Sequence, residues 1–268
     1  MKKLVLVLVM IFAVMVGRSQ SFEGIMHLKM KLEITDPKLK AEMAKANDPA
    51  NQAKIKEMQA KMNDPQMKAL MEQNPQMKAQ MEAMMKAMTG GGMAAMMPTG
   101  MTLKLKGLNS LMSMEGGLMD KNDILLLGDK HMSYRINNIS KTYTVMSQSK
   151  GPATSDRKPK ITKTSETSTI IGHKCIKYIV EEPMLDGKTM TINYWTTTEI
   201  SGLDLEALAK VATSNGQSII YPDIEGTPLK IEATSPQGVM TTEVTEIKKE
   251  AIPASAFEVP SGYSETKI

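Results

Sequence analysis

Hydrophobic and polar positions alternate with two different periods along this chain. Residues 22–34 read FEGIMHLKMKLEI, with Met26, Leu28, Met30, Leu32 and Ile34 alternating against Ile25, His27, Lys29, Lys31 and Glu33. A period of two places each set on its own face, so the spacing predicts an amphipathic strand with one apolar side. The rhythm returns from Met101 in MTLKLKG, SLMSMEGG, DILLLGD, KHMSYRI and ISKTYTVMS. Turns such as Gly116-Gly117 and Gly128-Asp129 separate these stretches and predict an antiparallel meander. Residues 148–160 are polar, with Gly151-Pro152 and Pro159, and predict a long loop. Beyond it ITKTSETSTI, KCIKYIVEE, KTMTINYWTT, PLKIEATS and GVMTTEVTEIKKE continue the strand pattern. Leu203, Leu205, Leu208 and Val211 mark a helix over 203–212.

Between Asp36 and Pro98 the period changes. This stretch is rich in Met, Lys, Gln and Ala and holds no Phe, Trp, Tyr or Val. Asp36-Pro37, Asp48-Pro49, Asp64-Pro65 and Asn74-Pro75 each pair a helix-capping side chain with proline, which fits the first helical position. The residue before proline is pushed away from α geometry, so each pair also stops the preceding helix. Several short helices are expected, not one rod. Asp64–Gln73 (DPQMKALMEQ) and Asn74–Ala83 (NPQMKAQMEA) form a near-identical tandem repeat. Met77, Met81, Met84, Met85 and Met88 fall at i, i+4, i+7, i+8 and i+11, a single thioether stripe. Ile55, Met58 and Met62 mark a shorter stripe, as do Met67, Leu70 and Met71. Residues 89–100 (TGGGMAAMMPTG) end the helical text in a glycine-rich, apolar loop. The insert thus interrupts a β framework after its first strand.

The N-terminus has a third pattern. Lys2 and Lys3 precede the apolar run Leu4–Val16, and Gly17 and Ser19 supply small residues ahead of Gln20. The run is shorter than a membrane span and has the order of a signal peptide, predicting cleavage after residue 19. No cysteine follows it, so no lipoprotein anchor is expected, and no later run is long enough to cross a bilayer. The expected mature chain, 20–268, is one exported domain of the periplasm or outer envelope of a Gram-negative bacterium, without an integral membrane segment.

Composition narrows the function. The formal charge of +4 is spread along the chain without a basic block, which argues against nucleic-acid binding. Cys175 is the single cysteine, so no intramolecular disulfide exists, and a buried inert thiol is expected. His173 and Cys175 share a strand face, but two ligands fall short of a zinc site. His27 and His131 stand alone. No phosphate-binding glycine loop, paired-histidine motif or nucleophile elbow occurs, so no catalytic residue, cofactor or metal site is assigned and no enzyme is expected.

A resemblance adds to these patterns. TSTIIGHKCIKYIVEE, YWTTTEI, PLKIEATS and PASAFEVPSGY carry it, through Gly172–Tyr178, the Trp195 strand and the ending Phe257, Val259-Pro260 and Gly262-Tyr263. On these residues the chain resembles the exported bacterial domain of unknown function 4412 family (DUF4412), common in the Bacteroidota. That resemblance implies a fold similar to the LolA-like periplasmic lipoprotein carriers, a curved antiparallel sheet wrapped around helices that often holds an acyl chain. The Met-rich insert departs from it.

The expected fold is therefore α+β, a curved antiparallel half-open β-barrel (LolA-like) with a Met-rich helical insert at 36–98. The expected function is a non-enzymatic envelope protein holding a hydrophobic, lipid or acyl ligand. Met58, Met62, Met77, Met81, Met84, Met85 and Met88 are the candidate ligand-binding residues, because unbranched thioethers adapt to varied apolar shapes. Other readings of the stripe stay open: a helix face packed on the sheet, a docking surface for an envelope protein, Cu(I) coordination by thioethers, or an oxidation sink.

Overall fold

A computed structural model describes residues 22–45, 49–74, 77, 78, 81, 82, 85, 97–117, 121–146, 159–183, 189–200, 202, 221 and 223–266. Twelve strands are present among them: β1 (Glu23–Ile34), β2 (Gly100–Lys106), β3 (Asn109–Glu115), β4 (Asn122–Leu127), β5 (Met132–Asn137), β6 (Thr142–Met146), β7 (Lys160–Ile170), β8 (His173–Pro183), β9 (Thr189–Thr197), β10 (Thr227–Ser235), β11 (Gly238–Lys249) and β12 (Ser264–Glu265). They form one sheet in the order β12-β6-β5-β4-β3-β2-β1-β11-β10-β9-β8-β7. All neighbours are antiparallel except β12 and β6, whose pairing is parallel. The alternation foresaw β1 to β11, whereas β12 is too short and polar to read from sequence.

Chain connectivity requires the sheet to curve. Ten strand spacings separate β6 from β7, about 48 Å if the sheet were flat. Residues 147–159 join these strands, and at roughly 3.5 Å per residue they reach about 49 Å, which is too short for a flat sheet because the register also places Met146 and Lys160 at opposite ends of it. The register supplies the bends. Thr245 is an extra residue opposite the His27/Leu28 step, Leu229 is extra opposite the Thr196/Trp195 step, and β7 shifts against β8 between Lys163 and Thr167. Such bulges sharpen local twist and curl a sheet. The result is a curved, unclosed antiparallel sheet with few helices.

Apolar clusters lie on both faces. Phe22, Met26, Leu103, Leu105, Met112, Ile124, Leu126 and Val244 belong to the largest, which also takes in Cys175, Leu229 and Ile200. A second holds Tyr178, Val180, Ile192, Tyr194, Tyr221 and Ile224. The third lies on the reverse face of β3–β6, where Leu125, Leu127 and Ile136 pack under Ile252 and Phe257 of the C-terminal segment. That segment is a strap. It begins at a node in which Glu23 Oε1 accepts from Lys106 Nζ (2.8 Å) and from the Ile252 amide (2.7 Å), while Lys106 Nζ donates to the Ile252 carbonyl (2.7 Å). These donors, Lys106 first, hold the Glu23 carboxyl below the usual range. A single 3-10 turn, Ala254–Phe257, then drops Phe257 into the cluster. The Tyr263 hydroxyl donates to Asn138 Oδ1 at 2.9 Å before β12 joins β6.

The insert contains α1 (Pro37–Lys45), α2 (Pro49–Asn63) and α3 (Pro65–Gln73). Three caps are made as the Asx-Pro pairs predict. Asp36 Oδ1 accepts from the Lys38 amide, Asp64 Oδ1 from the Gln66 amide and Asn74 Oδ1 from the Met77 amide. Asp48, the helix expected over 203–212, most of the 148–160 loop and residues 86–96 lie outside the described residues.

Replacing Phe257 with Ala removes the largest buried side chain of the strap and should cost about 3 kcal/mol. Urea unfolding followed by circular dichroism measures this; a cost within error of zero would mean that the strap does not hold the reverse face.

Candidate ligand-binding site

Cross-strand register gathers one apolar row over six neighbouring strands. Ile161 pairs with Val180, Val180 with Ile192, Ile192 with Ala233, Ala233 with Met240 and Met240 with Leu32. Paired residues share a face, so these side chains stand side by side. The adjacent row runs Lys163, Tyr178, Tyr194, Ile231, Thr242 and Met30. Beyond β1 the same face continues through Met26, Leu103, Met112 and Ile124. Val180 and Ile192 are buried beneath Tyr221 and Ile224, whereas Ile161, Ala233, Met240 and Leu32 are only half-buried. The floor is thus covered at its centre and open toward both ends.

The row ends in a cleft. Pro159, Ile161, Lys163, Tyr178, Asp223 and Glu225 line a space of about 370 Å³ beside the edge strand β7, within the range of roughly 300–1,000 Å³ usual for small-molecule sites. Its charged groups are organised. Lys163 Nζ donates to Glu225 Oε2 at 2.8 Å and lies 5.6 Å from the centre of the Tyr178 ring. The Tyr178 hydroxyl donates to the same carboxylate at 3.4 Å. Hydrogen bonding to Lys163 lowers the Glu225 pKa, and the same bond raises that of Lys163. Apolar floor and charged mouth meet at Ile161 and Tyr178.

Two tyrosines roof and floor the central part. Their rings meet edge to face, 5.9 Å apart at 86°. Burial, followed by the Glu182 charge, pushes the Tyr194 phenol well above its ordinary range. Tyr221 rises through burial and through its hydrogen bond to Glu182 Oε2 at 2.8 Å. The Tyr194 hydroxyl is 1% exposed as a residue and has no hydrogen-bond partner among the described residues.

The predicted methionines divide between described and undescribed positions. Met58 and Met62 are half-buried on the α2 face that also carries buried Ile55, while Lys56, Glu57 and Lys61 are exposed. Met77, Met81 and Met85 are helical and half-buried, with Lys78 and Glu82 exposed beside them. Met84 and Met88 lie outside the described residues. In α3 the stripe narrows, because Met71 is buried and Met67 half-buried but Leu70 faces out. Among the described residues no three His, Cys, Asp or Glu side chains meet as a metal site, and no helix is long and apolar enough to cross a membrane. Cys175 is fully buried, and burial pushes its thiol up, as an inert core cysteine requires.

Sequence reasoning missed the tyrosines and the mouth. Tyr178 and Tyr194 occupy alternating strand positions that signalled a buried face, yet nothing local tied Tyr221 to Glu182 or Lys163 to Glu225 across 39 and 62 residues.

The family model for the domain of unknown function DUF4412 matches residues 75–263, and the chain belongs to that family. No curated protein matches it. Among solved structures, PNGF-II is similar at 17% identity and a TM-score of 0.36, over 63% of this chain and 28% of that one, so this chain spans little more than a quarter of its length. A LolA superfamily protein from Nitrosomonas europaea is similar at 10% identity and a TM-score of 0.31, over 90% of this chain and 91% of that one. LprF from Mycobacterium bovis is similar at 6% identity and a TM-score of 0.32, over 90% of each chain. At these scores none of the three assigns an activity or a ligand to this chain.

The tyrosine pair yields opposite expectations for two small changes. Tyr221→Phe deletes a hydrogen bond to a carboxylate and should cost about 1–2 kcal/mol. Tyr194→Phe removes an unpaired buried hydroxyl and should leave stability unchanged or raise it. Thermal melts of the two variants compare them; equal losses would contradict the assignment.

Proposed function

We propose that this chain is an exported, non-enzymatic binding protein of the cell envelope that holds a hydrophobic ligand on the apolar face of its curved sheet. The ligand class is an acyl chain or lipid. One observation carries the proposal: an apolar row crosses six strands, is half-open at both ends, and runs into a cleft with a charged mouth. Such a surface fits an amphiphile, with its hydrocarbon along Ile161, Ala233, Met240 and Leu32 and its polar end near Lys163 and Glu225. A half-open barrel is the architecture under which this face becomes an interior. The methionine faces of the insert supply the adaptable cover, with Met58, Met62, Met77, Met81, Met84, Met85 and Met88 the contacting residues.

A fluorescent fatty acid reports the floor directly. Ala233→Glu places a carboxylate in the middle of the row and should weaken binding at least about tenfold, a loss of about 1.4 kcal/mol. Glu232→Ala, on the opposite face, should bind as the original chain does. Equal binding by all three proteins would sink the proposal.

The cover is tested by replacing residues 37–98. Lys29 pairs with Gly100, so β1 runs five residues past the start of β2, and a direct join would leave a gap of about 17 Å. A flexible linker of about eight residues spans it. With that replacement the affinity should fall roughly tenfold; unchanged affinity would remove the insert from the site.

A further inference from the structure

We draw no further inference here: the strongest candidate, the turn carrying Tyr221 and Ile224 that covers Val180 and Ile192 and is tied to the floor through Glu182 and Glu225, belongs to the site already described.

Discussion

The pairing of β1 on both flanks is the interaction on which the rest of the structure depends. Its residues bond to β2 on one side and to β11 on the other, joining a meander that follows it to one that ends more than 200 residues later. The contact is close: a Cβ on Gly24 would run into the Lys248 carbonyl. Without this strand the two meanders would be separate small sheets, each with an extra exposed edge. With it they become one sheet, and the 147–159 connection between its distant sides then requires that sheet to curve.

Placing the insert directly after this strand costs little. The loop from β1 to β2 must close whatever its length, and doubling a loop adds only about 0.6 kcal/mol. Short capped helices can therefore accumulate there without disturbing the pairing on either side. The apolar face of β1 continues through Leu32 to Ile34, where the insert departs, so the helices leave from the end of the floor that is half-open. Curvature, the floor and the insert's position follow from one strand with two partners.

Much of this was legible in the sequence because strand alternation is a local signal. Met26 to Ile34 against His27 to Glu33 identified the faces of β1, and the Asx-Pro pairs located three helix starts that the caps reproduce. Register was not legible. Ala233 is a small residue in an ordinary strand until pairing sets it between Ile192 and Met240. The Glu23, Lys106 and Ile252 node and the Tyr221 bond to Glu182 join residues distant in sequence, and no local pattern encodes them. The strap was visible only as a run of residues, because its parallel β12 and single 3-10 turn lack a period of their own.

Whether the floor holds a ligand is open to one direct measurement. Native mass spectrometry of the protein purified from the envelope of the cells that make it would show the mass of any bound molecule. An added mass in the lipid range, lost from the Ala233→Glu variant, is the predicted result. A bare polypeptide mass in repeated preparations, with no uptake of added fatty acid, would contradict the account.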